Sequence, residues 1–134
     1  MCGIAGFCNF RGDWQKNIKR MCDKMKHRGP DAAGVWASED HRVVLGHRRL
    51  AIVELSPAGA QPMISRDGRY VIAYNGEIYN HASIRKKLLA EGRVPAFRGT
   101  SDPEPLLEAV AAYGLNDRLK MIKGVFALAL YDRE

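Results

Sequence analysis

Hydrophobic and polar positions along this chain change period several times, and each change marks an element. The first apolar stretch, Ile4 to Phe7, is short and continuous, as in a buried strand. Trp14, Ile18, Met21, Cys22 and Met25 then recur at helical spacing, with Lys16, Lys19, Arg20, Lys24 and Lys26 on what would be the solvated face. Gly29-Pro30 cannot continue that helix and predicts a turn. Strands are predicted from Gly34 to Ala37 and, after a turn at Glu39-Asp40, through "RVVLGHRRLAIVEL", which runs out into the polar, proline-containing loop "SPAGAQPM". Asp67-Gly68 in "RDGR" is a hairpin signal ahead of the strand "YVIAYN".

Two helical patterns interrupt the strands. The first runs from about Ala82 to Glu91, stops at Gly92 and is expected to bury Ile84, Leu88 and Leu89. The second has Ser101 or Asp102 as cap, Pro103 in the first turn, a stripe of Leu106, Leu107, Val110 and Tyr113, and Gly114 as its end. A short helix over Asp117–Ile122 is expected before "VFALALY", where Phe126, Leu128 and Leu130 alternate with small residues as in a strand. Antiparallel strands with helices inserted between them imply an α+β layered domain. The final apolar strand has no partner after it, so either a longer natural domain or another chain is expected to cover its edge.

The chain has 134 residues and 46% apolar content, which fits one domain with a true core. No apolar run reaches membrane-spanning length and the start does not resemble a signal peptide, so the expected location is cytoplasmic, without a membrane partner. Cys2, Cys8 and Cys22 lack C-x-x-C spacing, which argues against a disulfide framework and against a zinc site; no metal is expected. The net charge of +6 is spread along the chain, except on the basic face of the first helix, and argues little for nucleic acid.

Four motifs carry candidate chemistry: "HRGPD", "GHRRL", "NGEIYN" and "GTSDPE". Each alone has an ordinary structural explanation, as turn, strand ion pair or helix cap, and Cys2 alone reads as the first residue of a strand. Together they supply what an amide-cleaving cysteine requires. A cysteine at a mature N-terminus carries its own base, an α-amine of pKa about 7.7–8.0. Asn75, through its side chain, and Gly76, through its backbone N–H, can stabilise an oxyanion, with the Asn-Gly pair placed at a strand's end. Arg49 as a bidentate donor and Asp102 as an acceptor match the carboxylate and ammonium of an amino acid.

"MCGIAGF", "MKHRGPDAAGVW", "LGHRRLAIVELSPAGAQPM", "AYNGEIYNH", "FRGTSDPEPLLEA" and "IKGVFALALYDRE" resemble, in that order and from Met1 to Glu134, the glutaminase domain of glutamine-hydrolysing asparagine synthetases. These are class II glutamine amidotransferases of the N-terminal-nucleophile hydrolase group. The resemblance implies a four-layer αββα sandwich of antiparallel sheets, truncated here at its C-terminal end. It implies Cys2 as nucleophile after loss of Met1, Asn75 and Gly76 as oxyanion hole, and a site for L-glutamine formed by Arg49, Leu50, Ala51, Ile52, Val53, Glu77 and Asp102. "HRGPD" would shape the surroundings of the pocket, and His47 and His81 are read as structural.

Pro103 and Pro105 depart from the family pattern but fit a helix's first turn. The glutaminase half would need no cofactor. ATP and Mg would belong to a following synthetase domain, which is absent from this sequence, as is any Gly-rich phosphate loop. The reaction implied is glutamine hydrolysis to glutamate and ammonia, feeding ATP-dependent asparagine synthesis from aspartate in the complete enzyme. The residues leave two alternatives open: a different ammonia acceptor, or an inactive fragment or binding module that forms a homodimer through its open edge.

Overall fold

A computed structural model describes residues 1–134 as two three-stranded antiparallel sheets packed face to face, with helices outside them. The first sheet has the order β1 (Gly3–Cys8), β3 (Val43–Arg49), β2 (Ala32–Ala37) and carries α1 (Trp14–Lys24) on its outer face. The second has the order β4 (Met63–Ile64), β5 (Tyr70–Ile78), β6 (Gly124–Asp132). α3 (Pro103–Tyr113) lies on its outer face, α2 (His81–Ala90) packs against α3, and α4 (Leu115–Leu119) leads into β6. The layers are therefore helix, sheet, sheet, helix, as the family resemblance implies.

Strand alternation builds the three cores between these layers. On β3, Val44 joins Ile18 and Cys22 beneath α1, and Leu45 joins Val71 and Ala73 between the sheets. A Cβ at Gly46 would meet the Cys22 sulfur at 2.6 Å and Ile18 at 2.8 Å, so glycine lets α1 come close. Ile72, Ile78, Leu106 and Leu107 are wholly buried between the second sheet and α3. Each such side chain contributes about 1.5–3 kcal/mol of burial free energy.

His47 follows on β3, is 1% exposed, and places Nε2 3.0 Å from the Tyr74 carbonyl oxygen of the other sheet. A carbonyl only accepts, so the neutral ring carries its proton on Nε2 and pins the two sheets together. Burial, the largest cause, lowers its pKa below the ordinary 6.5. The unfolded chain therefore binds more protons than the folded one below about pH 6.5, and stability falls as pH drops through that value. The urea midpoint should decline from pH 7 to pH 5 more steeply in the native protein than in His47→Gln; parallel curves would remove His47 as the cause.

Several elements differ from expectation, and for two strands the reason is the availability of partners. β3 stops at Arg49 because β1 pairs only from Gly3, opposite Arg48, and β2 only from Ala32, opposite Arg49. Leu50 to Leu55 therefore form a loop, with Ile52, Val53 and Leu55 exposed. β5, conversely, continues through Asn75-Gly76 to Ile78, because β6 supplies Ala127, Phe126, Val125 and Gly124 as partners. Leu89 is exposed, so α2 buries Leu88 and packs Ile84 beside it. α4 starts and ends earlier than the Asp117–Ile122 expected.

α3 is buried all round from Pro103 to Val110, including two carboxylates. Glu104 accepts from the backbone N–H groups of Arg98 (2.7 Å) and Gly99 (3.0 Å), and Glu108 from that of Arg66 (2.9 Å). Buried carboxylates require such donors. β6 lies at the edge of its sheet, as expected from the sequence. No helix is long and apolar enough to cross a membrane.

Candidate active site

A cleft of about 710 Å³ opens where β1 begins, β3 ends and the last residues of β5 emerge. Every residue that the sequence nominates lines it: Cys2, Arg49 to Val53, Asn75, Gly76, Glu77 and Asp102.

Cys2 immediately precedes β1, and its sulfur accepts from the Leu50 N–H at 3.3 Å, with the Leu50 carbonyl oxygen 3.7 Å away. Its own carbonyl accepts from Arg28 Nε at 3.1 Å. The "HRGPD" turn thus grips the N-terminus, and it also grips the end of β3. Arg48 Nε donates to the Gly29 carbonyl at 2.8 Å, and Asp31 accepts from the Ala51 N–H at 2.7 Å. A Cβ on Gly29 would fall 2.4 Å from the Arg48 carbonyl, so only glycine permits this approach.

Arg49, the last residue of β3, turns its guanidinium toward the loop that follows. One terminal nitrogen donates to the Ser56 carbonyl at 2.9 Å and the other to the Glu54 carbonyl. Gly59 makes room for it, since a Cβ there would come within 2.4 Å of a guanidinium nitrogen. Two of the five N–H donors are committed to the loop, which leaves the others for an anion.

Asn75 and Gly76 sit within β5. Gly76 has φ +151°, and a Cβ there would lie 2.4 Å from both the Phe126 Cα and the Val125 carbonyl oxygen. Asp102 does not cap α3 as the sequence suggests. It already has helical dihedrals and makes no side-chain cap bond, and of the two positions a cap addresses, Pro105 has no N–H to offer. The freed carboxylate accepts from the Ile78 N–H at 2.8 Å, and its other oxygen is 3.9 Å from His81 Nε2. His81 therefore lines the cleft, and only His47 is purely internal.

Sequence reasoning missed Tyr74, Gln61 and Glu54, all of which line the cleft. Tyr74 is 3% exposed and its hydroxyl has no hydrogen-bond partner. Burial, then the charges of Asp102 and Glu77, push its phenol well above the usual tyrosine range. Gln61 reaches across to accept from the Tyr74 N–H at 2.7 Å. The only available signal was position, since Tyr74 immediately precedes the Asn-Gly pair.

The cleft thus combines a thiol, a guanidinium with donors to spare, two acids beside a buried phenol, and a glycine backbone. That set suits a zwitterionic amino acid carrying a reactive carbonyl. No group of three His, Cys, Asp or Glu side chains is placed to hold a metal ion, and all three cysteines are free thiols.

Residues 1–134 match the glutamine amidotransferase domain family. The chain is 38% identical to glutamine-hydrolysing asparagine synthetase 3 of Bacillus subtilis, over all of this chain and 22% of that protein. It is also 38% identical to asparagine synthetase B of Escherichia coli, over all of this chain and 24% of that protein. Amidase chry2 of Gibberella zeae is 35% identical over 98% of this chain and 21% of its own length. The chain spans less than a quarter of the length of these relatives. A family match from the first residue to the last, with full-length coverage by relatives above 30% identity, places the chain in the glutamine amidotransferase domain family.

Proposed function

We propose that this cleft hydrolyses the side-chain amide of L-glutamine, with Cys2 as nucleophile once Met1 has been removed. The carrying observation is that the cysteine, Arg49, Asn75-Gly76 and Asp102, from four separate stretches of sequence, line one cleft. Arg49 binds the α-carboxylate and Asp102 the α-ammonium, with Glu77 beside them and the Leu50–Val53 backbone as wall. The Cys2 thiol gives its proton to its own α-amine and its sulfur attacks the amide carbon. The carbonyl oxygen becomes an oxyanion held by the Asn75 side-chain N–H and the Gly76 backbone N–H. The α-amine returns the proton to the leaving nitrogen, the C–N bond breaks, and ammonia departs. Water then cleaves the γ-glutamyl thioester to release glutamate and restore the thiol.

In the complete protein we infer that the ammonia converts aspartate to asparagine, the reading supported by the names of the synthetase relatives. The chain would be the N-terminal part of the glutaminase domain, with further strands adding to the open edge of β6. ATP and Mg would belong to a domain beyond it. The residues here do not fit them, having neither a phosphate loop nor a three-ligand cluster, and no step above involves them. Free thiols at Cys2, Cys8 and Cys22 support a reducing, cytosolic location.

Incubation of Met1-free protein with glutamine should release glutamate and ammonia in equal amounts; release of neither would sink the assignment. Arg49→Ala should weaken glutamine binding by about 2–5 kcal/mol, the cost of leaving a charged partner unpaired. Titration calorimetry checks this, and an unchanged affinity would remove Arg49 from the site.

A further inference from the structure

Building on the glutaminase reading, we propose that Glu54 is a positioning residue. It ties the loop that holds Arg49 to the loop that ends in Asp102, and so sets the distance between the carboxylate-binding and ammonium-binding halves of the site.

Glu54 acts in two directions. Its backbone carbonyl accepts from the Arg49 guanidinium, so the position of this peptide decides where that guanidinium points. One carboxylate oxygen accepts from the Ser56 N–H at 2.9 Å, and the Ser56 carbonyl is the other acceptor for Arg49, at 2.9 Å. The second carboxylate oxygen crosses to the other loop, where it accepts from the Thr100 N–H at 2.7 Å and the Thr100 hydroxyl at 3.1 Å.

Thr100 belongs to a fixed platform. Gly99 N–H donates to Glu104 at 3.0 Å, and Arg85 of α2 donates to the carbonyls of Gly99 (2.9 Å) and Ser101 (2.7 Å). Asp102 follows two residues after Thr100 and inherits that rigidity. The fit around Glu54 is close on both sides. A Cβ on Gly99 would lie 2.5 Å from its carboxylate oxygen, and one on Gly59 would lie 2.8 Å from its Cγ.

The partners of Glu54 are backbone amides and hydroxyls, and it forms none of the chain's ion pairs. The Ser56 side chain first, then the Thr100 and Ser56 backbone N–H groups, hold its carboxyl down at about 2, so both oxygens only accept near neutral pH. Beside this tie, the loop is held by Arg49 itself, through the Glu54 and Ser56 carbonyls, and by Asp31, which accepts from the Ala51 N–H. Ile52, Val53 and Leu55 are 72%, 73% and 74% exposed, so no core packing holds them in place. Loss of the Glu54 carboxylate would cut this loop's link to Thr100 without opening a cavity in any core cluster.

The test compares full-length, Met1-free protein with Glu54→Ala, Glu54→Gln, Arg49→Ala and the Glu54→Ala/Arg49→Ala double variant. In Glu54→Ala, kcat/KM for glutamine should fall about 10²-fold, mainly through KM, as for a small misplacement of a binding group. The thermal midpoint and the rate of Cys2 alkylation by iodoacetamide should not change. Glu54→Gln should lose less, since its amide oxygen accepts from one loop while its NH₂ faces a donor of the other. In the Arg49→Ala background, Glu54→Ala should add little, because the group it positions is gone.

Hydrolysis by the unsubstituted protein with an unchanged KM in Glu54→Ala would overturn this inference alone. So would a full additional loss in the Arg49→Ala background, or a loss that appears only with a lowered thermal midpoint. Absence of hydrolysis by the unsubstituted protein would overturn the glutaminase reading, and this inference with it.

Discussion

Cys2→Ala should abolish glutamine release of ammonia while leaving the fold and glutamine binding in place. The sulfur's hydrogen-bonding partner is the Leu50 backbone, at 3.3 and 3.7 Å, and Cys2 belongs to none of the core clusters. Strand pairing begins one residue later, at Gly3 opposite Arg48, so alanine removes no ladder bond. The change opens no core cavity and leaves Arg49 and Asp102 on their own tethers. What disappears is the atom that forms the thioester. Removal of the nucleophile from a catalytic unit of this kind costs roughly 10⁴- to 10⁶-fold in turnover. Ammonia release measured beside calorimetric glutamine binding separates the two effects. Retained turnover with retained binding would mean that another group attacks the amide.

The fold was largely legible because its strongest signals are local. α1 follows from the spacing of Trp14, Ile18, Cys22 and their basic neighbours, and the hairpin into β5 follows from Asp67-Gly68. What was not legible depends on partners distant in sequence. "LAIV" after Arg49 has strand composition, yet it becomes a loop because β1 and β2 have run out, and Asn75-Gly76 stays in a strand because β6, fifty residues on, pairs with it.

The site divides in the same way. Cys2, Arg49, Asn75, Gly76 and Asp102 stand out as chemistry-bearing residues in recognisable motifs. Glu54 and Tyr74 do not, since a loop acid and a strand tyrosine have many ordinary uses, and only folding brings Glu54 to Thr100 and Tyr74 to Asp102 and Glu77. Asp102 reads from the sequence both as a helix cap and as an acceptor for an ammonium group. It makes no cap bond to α3, and its carboxylate goes instead to the Ile78 N–H at the cleft.

Any residue left in front of Cys2 should silence hydrolysis without unfolding the protein. In the structure Met1 is 72% exposed and lines the cleft, so a short N-terminal extension has a path into solvent and displaces no core side chain. Arg28 would still hold the Cys2 carbonyl, and β1 would still pair from Gly3. The peptide bond to residue 1, however, turns the nitrogen beside the thiol into an amide, which is not a base. General-base assistance is worth about 10²- to 10⁴-fold, and an extended protein should lose that much in kcat. Histidine is the competing base. His81 lines the cleft with an unpartnered Nδ1, and if it removed the thiol proton the extension would leave kcat largely intact. A cleavable extension that leaves cysteine first after proteolysis decides between them in a single preparation. Activity appearing only after cleavage assigns the base to the α-amine of Cys2, whereas equal activity before and after assigns it to a side chain.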